Sequence, residues 1–324
     1  MQHIQDAAAL QRSLYSLGGA IYANTAAMQS LDQDQSLTAF AQAIDHEAML
    51  LDYRHKRSTW RPAGLSGRWS GNELMLGLSH RLNADWHIAA ALNYGERRWT
   101  EDFQAPQQDS SRGHSYGLMQ GLRQALPTGA YLKYLGGVAI YDNRVQRNVW
   151  LGDAPEAVGA TARGQNWQAG LALGKSWQFA SGFSLTPETG LLINHQRQNG
   201  LQEGGAMGYG LRAQAVRVTI LSAYAQLKAT HDLQLGGTAL RLAALGGVRQ
   251  DLRTRDSRAD GGFSGLALEN ARSTQWNMGR THWNASLGIN AQMGSGLSVG
   301  LNYQADWSRG WADHSFFAAL RYIH

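Results

Sequence analysis

The sequence predicts an all-β fold, a 12-stranded antiparallel transmembrane β-barrel with an N-terminal α-helix inside the lumen. Three observations carry this expectation. Hydrophobic periodicity changes along the chain from about 3.6 residues to 2. The period-2 runs are long, and each has one apolar face and one small or polar face. Only 16% of the 324 residues are charged, against a usual ~25%, although 43% are hydrophobic. No run of ~18 apolar residues exists for a spanning helix, whereas barrel strands dilute each apolar residue with a polar neighbour and evade that test. The absence of cysteine excludes a disulfide scaffold, a thiolate metal site and a cysteine nucleophile. No basic region followed by an apolar run opens the sequence, so no signal peptide is expected at Met1.

Residues 1 to about 52 read as helix. Leu10, Leu14, Leu17 and Ile21 form a stripe that Met28, Leu31, Leu37, Phe40 and Ile44 continue less regularly, with Gly18-Gly19 as the weak point. The segment 1–57 is therefore taken as a helical linker, with a pore helix from about 24 to 49, and 58–324 as the barrel.

Strands are expected near 58–70, 72–82, 86–99, 111–125, 130–148 and 161–179, then near 183–200, 209–233, 238–254, 274–293, 297–308 and 314–324. In the third, Trp86, Ile88, Ala90, Leu92 and Tyr94 make the apolar face; in the ninth, Leu240, Leu242, Ala244 and Val248; in the tenth, Trp283, Ala285, Leu287 and Ile289. Tight turns alternate with mostly longer polar loops (101–112, 148–160, 199–208, 253–273 and 308–313), as in outer-membrane barrels. A soluble sandwich or propeller has shorter strands, averaging ~5–6 residues. Trp86, Trp99, Trp167, Trp177, Trp283, Trp307, Tyr94 and Tyr303 sit near strand ends, where interfacial girdles form.

Charge is divided unevenly. Residues 1–57 hold Asp6, Asp32, Asp34, Asp45, Glu47 and Asp52 against Arg12, Arg54, Lys56 and Arg57, a net of −2, so the remainder carries +7 of the chain's +5. Lys133, Arg241 and Arg249 fall on the face opposite the apolar one and are candidate lumen cations. An acidic helix face of Asp32, Asp34, Asp45 and Glu47 inside a basic lumen is the resulting expectation, and a helix ~10–12 Å across fits a barrel of moderate width. Charge alone leaves a solvated helix outside the barrel, or a disordered tail, as alternatives.

Several segments are similar to one family. They are Ser58-Thr59-Trp60 through Gly71, Ala89 to Trp99, and Asn199-Gly200-Leu201-Gln202-Glu203-Gly204-Gly205-Ala206-Met207-Gly208. Val248-Arg249-Gln250-Asp251-Leu252 with Arg255-Asp256 and Gly261-Gly262-Phe263-Ser264-Gly265 is the most specific stretch, and Asp313-His314-Ser315 to Tyr322 matches a terminal strand. The chain thus resembles the C-terminal translocator domain of type V autotransporters, most closely members that export a subtilisin-like serine protease. The resemblance implies a twelve-stranded barrel filled by a helix, a passenger attached upstream of Met1, and assembly by the barrel assembly machinery. It implies a monomer in the outer membrane, in contact with lipid and lipopolysaccharide, with the C-terminus periplasmic and the long loops extracellular. Family members usually end in phenylalanine; here Phe316, Leu320 and Tyr322 keep the outward alternation of that signal, but His324 holds the last place. The Asn-Asn pair used for self-cleavage in some members is absent from the helix, which has only Asn24.

No catalytic residues, cofactor or metal are expected in this chain. Gly170-Leu171-Ala172-Leu173-Gly174-Lys175-Ser176 is one residue short of a phosphate loop and lies in mid-strand. Gly113-His114-Ser115 and Asp313-His314-Ser315 suggest rim hydrolases, but adjacent strand residues point to opposite faces. The pI of 9.5 does not reflect a nucleic-acid patch, because the basic residues are scattered through strands. A stand-alone barrel enzyme (protease or phospholipase) using His114 or His314, and a diffusion porin, are the alternative functions.

Overall fold

The computed structural model describes residues 16–17, 19–45, 47–61, 66–102, 109–150, 155–180, 182–204, 210–255, 258–263, 271–274, 279–294 and 296–322. Among the described residues, a long helix, α1 (Ala20–Ala43), is followed by twelve long strands. These are β1 (Ala48–Trp60), β2 (Ser66–Arg81), β3 (Trp86–Asp102), β4 (Asp109–Ala125), β5 (Ala130–Trp150) and β6 (Pro155–Lys175). They continue as β7 (Phe183–Gln198), β8 (Val216–Leu235), β9 (Thr238–Arg255), β10 (Thr281–Met293), β11 (Leu297–Ser308) and β12 (Trp311–Tyr322). Every strand pairs antiparallel with its sequence neighbours, and β1 also pairs with β12, from Met49 opposite Tyr322 to Trp60 opposite Trp311. The sheet is a closed ring with no free edge.

Gly19, at φ 62°, supplies the left-handed residue before α1, so the Gly18-Gly19 weak point is where this helix starts. Its end differs from the expected Met49. Ile44 caps the helix, its N–H bonding Phe40 O, and period 2 begins at Ala48. Ala48, Leu50, Arg54 and Lys56 are buried, whereas Met49, Leu51 and Tyr53 are exposed. The boundary expected between 57 and 58 therefore falls inside the strand that closes the ring. The expected first strand also runs through the β1–β2 connection, where Pro62 has no N–H for a ladder. Conversely, the break expected between the strands near 58–70 and 72–82 lies within β2, and Ser70 and Gly71 pair with Arg98 and Arg97.

The turns at 82–85, 126–129, 236–237 and 294–296 mark one end of the barrel, the turn end; the connections at the other, the loop end, are mostly not long. β5 and β6 extend to Trp150 and Pro155, and Arg309-Gly310 is a two-residue turn with Gly310 at φ 71°. The two long connections, β7–β8 and β9–β10, hold four short segments, Leu201–Gln202, Leu211–Ala213, Arg258–Phe263 and Ala271–Thr274, paired as a second small sheet.

Leu74, Leu76, Leu92, Leu118, Val138, Ile140, Leu171, Leu191, Leu287 and Leu301 project outward and are exposed, forming the apolar wall that lipid requires. Trp167, Trp177, Trp283 and Trp307 are exposed with them, but Trp99 is fully buried in the interior and belongs to no girdle. Inside, α1 is buried round nearly its whole circumference. Its first half packs Ile21, Tyr22, Met28 and Leu31 in a cluster that includes Trp60, Trp69, Trp99 and Trp311, near the loop end. Its second half packs Leu37, Phe40 and Ile44 against Met75, Ala89, Ala91, Met119, Leu135 and Leu192.

Candidate functional site: the helix in the lumen

At ~1.5 Å per residue, the 24 residues of α1 run about 36 Å, the full depth of a bilayer core. Consecutive helical residues are about 100° apart, so Asp32 and Asp34 point to roughly opposite walls. Asp32 meets Arg54 and Lys56 of β1 and Arg97 of β3. Glu73 of β2 completes this group, binding Arg54 and accepting from Ser36 Oγ at 2.8 Å and Asn93 Nδ2 at 3.0 Å. On the far side Asp34 accepts from Asn194 Nδ2 at 2.6 Å, Gln168 Nε2 at 3.1 Å and Arg249 at 3.3 Å. Gln35 lies between, accepting from Lys56 Nζ at 2.8 Å and donating to Asp313 at 3.2 Å.

Polar strand residues also grip the helix backbone. Gln196 donates to Ala26 O at 2.6 Å, Asn194 to Ser30 O at 2.9 Å and Lys133 to Ala41 O at 2.9 Å. Near the loop end Tyr22 donates to Glu203 at 2.7 Å, and Arg147 holds the same carboxylate from β5 (Nη2 to Oε2, 2.7 Å). Asn24 and Trp99 both donate to Glu101, at 2.7 and 2.8 Å. Near the turn end Asp45, in the turn after the helix, pairs with Lys133 at 3.0 Å and Arg123 at 3.3 Å. Buried ion pairs of this kind set position more than net stability, since each costs desolvation.

Of the expected cations, Lys133 and Arg249 meet Asp45 and Asp34. Arg241 does not reach the helix: it lies at the turn-end mouth and forms a two-bonded pair with Asp232 of β8, at 2.6 and 2.9 Å. Glu47 is also off the helix, pairing with His80 of β2 at 2.8 Å. Arg54, Lys56, Glu73, Arg97, Arg147, Glu188 and Glu203 were not anticipated as lumen groups. In the strands their signal is parity: each charge stands on the face opposite the outward leucines. Phe316, Leu320 and Tyr322 project outward from β12. His324 lies outside the described residues.

A cavity of about 970 Å³ opens at the turn end beside the helix, lined by Asp45, Lys133, Glu188, Lys228, Arg241 and Arg321 among others. The loop end is filled instead, with Trp60, Trp69, Trp99 and Trp311 all buried.

No hydrolytic arrangement is assembled among the described residues. His114 and His314 face outward and stack on Tyr94 and Tyr303, while Ser115, Asp313 and Ser315 face inward. Ser222 and His282 both bind Asp251, at 2.7 and 3.1 Å. A nucleophilic triad needs the histidine between the other two.

A lipid-facing ring closed around its own charged helix defines a class of secretion barrel. Residues 53–304 match the family model described as autotransporter β-domain, and the chain belongs to that family, whose translocator barrel in the outer membrane is not itself catalytic. Among individual proteins it is similar to the Neisserial autotransporter lipoprotein NalP of Neisseria meningitidis, 27% identical over 309 residues. That alignment covers 94% of this chain and 27% of the relative, so the chain spans about a quarter of the relative's length. The translocator domain of NalP matches with a TM-score of 0.78 at 22% identity, covering 94% of this chain and all of that one. The β domain of the Bordetella autotransporter BrkA matches at 0.59 and 16%, covering 86% and 99% of the two chains. The transport unit of AIDA-I from Escherichia coli matches at 0.56 and 9%, covering 86% and 91%. These structural likenesses support the fold.

Proposed function

We propose that this domain inserts in the outer membrane with its loop end extracellular and its C-terminus periplasmic, and exports a passenger attached N-terminal to α1. In this reading α1 is the pore helix, the last part of the exported chain, held in the lumen after transit. The passenger is a subtilisin-like serine protease, by the family resemblance. The barrel works as a monomer against outer-membrane lipid, and the outward Phe316, Leu320 and Tyr322 of β12 are the contacts offered to the barrel assembly machinery.

One observation carries the reading: Asp32 and Asp34 fasten the helix to opposite inner walls of a closed ring. A diffusion porin has no use for such a filling. Planar-bilayer recording tests it. Removing Met1–Ala43 should raise single-channel conductance several-fold, because a rod ~10–12 Å across leaves the bore. Unchanged conductance overturns the plug, and large conductance in the intact chain makes the barrel a porin.

A further inference from the structure

The outward face of β3–β7 near the loop end carries an arrangement that export does not use. Across the hydrogen-bonded ladder, Arg57 stands opposite Ser70, Ser70 opposite Arg98, Arg98 opposite Arg112, and Arg112 opposite Arg144. All four arginines are exposed. Adjacent strands lie ~4.8 Å apart, so Arg98, Arg112 and Arg144 place three cations on three successive strands. Like charges directly opposite destabilise a sheet. Among the described residues none of the three has a carboxylate at ion-pair distance. The β3–β4 connection, Phe-Gln-Ala-Pro-Gln-Gln at 103–108, contains no acidic residue.

Below this row on the same face come Glu96, His114 and Asp142, then Tyr94, Tyr116 and Ile140. Glu96 accepts from Tyr94 Oη at 2.8 Å. Two steps down a strand is about 13 Å, so the arginines stand above a tyrosine belt where headgroups begin. Beside them is a groove of about 400 Å³, lined by Tyr116, Ile140, Asp142, Arg163, Gln165 and Arg197. Arg197 in turn stands directly opposite Arg217. The face therefore pairs a phosphate-sized spacing of cations with a partly apolar slot one to two rows below it, toward the tyrosine belt.

We propose that the outward face of β3–β7 is a binding site for the phosphorylated glycolipid headgroup of the outer leaflet, lipopolysaccharide. Its phosphates lie on Arg98, Arg112 and Arg144, and an adjoining sugar or the start of an acyl chain lies in the groove between Arg163 and Arg197. The planar guanidinium matches phosphate with two parallel bonds, and an anion bridging the row relieves its repulsion. The site rests on the reading that the loop end faces the cell exterior.

The test measures binding of four probes to the purified full chain in detergent by native mass spectrometry. They are bis-phosphorylated lipid A, dephosphorylated lipid A, phosphatidylglycerol and inorganic phosphate. Three proteins are compared: wild type, R98Q/R112Q/R144Q, and R253Q/R280Q/R309Q, which removes the same charge from exposed arginines of β9 and the β9–β10 and β11–β12 connections. Heat-modifiable migration in gels verifies that each is folded. Bis-phosphorylated lipid A should bind wild type and the second variant alike. It should bind the first variant, and dephosphorylated lipid A should bind wild type, about tenfold more weakly or worse. Equal binding by the first variant, or equal loss in the second, overturns the site. Displacement of lipid A by equimolar inorganic phosphate overturns the headgroup assignment. Preference for phosphatidylglycerol overturns the leaflet assignment, and the orientation with it, while leaving the conductance result for the helix untouched.

Discussion

Asp32 is the residue on which most of the lumen charge converges. Arg54, Lys56 and Arg97 all lie against it, and all four side chains are nearly fully buried. Replacing it with alanine removes the carboxylate that all three cations share, leaving them Glu73 and, on the Lys56 side, Asp313 and Asp306. A loss of about 3–5 kcal/mol is expected, as for other broken buried pairs, seen as a lower temperature for the folded-to-unfolded gel shift. Asp32→Asn should cost less, because the amide oxygen still accepts. Equal and small effects of both would mean that lumen water already solvates these cations. Lys56 offers a contrast within the same group: it also donates to Gln35 Oε1, so Lys56→Met removes a cation as well as a bond. It should destabilise less than Asp32→Ala.

At the scale of elements, the fit between α1 and β4 depends on a missing side chain. A Cβ on Gly121 would stand 2.7 Å from Ile44 Cδ1 and 3.2 Å from Phe40 Cε1, so the last turn of the helix occupies space a larger residue would need. Gly121→Val should displace that turn, costing about 1–3 kcal/mol and making the channel current noisier in bilayers. Gly246→Val, on the outward face of β9 with nothing within 4 Å, should do neither. The strands themselves are legible because lipid enforces the alternation, and β3, β9 and β10 follow their expected faces residue by residue. Two things were not legible. The helix end was misplaced because Met49 and Leu51 suit a helical stripe as well as a strand face, and only pairing with Tyr322 and Leu320 decides between them. The partners of Asp32 escape sequence reading because Arg54 and Lys56 count with the helical linker 1–57, when they are the first charged rungs of the barrel wall. Glu203 had no periodic signal at all, since it comes from a long connection that folds back over Tyr22.

The whole molecule is asymmetric end to end: tryptophan fills the loop end and a wide polar cavity opens the turn end. Because the chain contains no cysteine, single thiols report on this directly. Lys228→Cys, on the cavity wall, should react readily with a charged maleimide in the folded barrel, whereas Gln29→Cys, buried in the helix, should be protected at least tenfold. Similar rates at both positions would show a continuous water path along the helix. The β1–β12 seam has a further consequence. Only four residues, 44–47, separate the helix from the strand that closes the ring, so the polypeptide is threaded through a hoop made from its own continuation. Such a thread leaves only by withdrawal toward the turn end or by parting of the hoop. A folded body wider than the bore on the N-terminal side blocks the first route. Threading then becomes a mechanical bond, secured by bulk instead of affinity, and retention costs no further free energy however weak the individual contacts along the helix become.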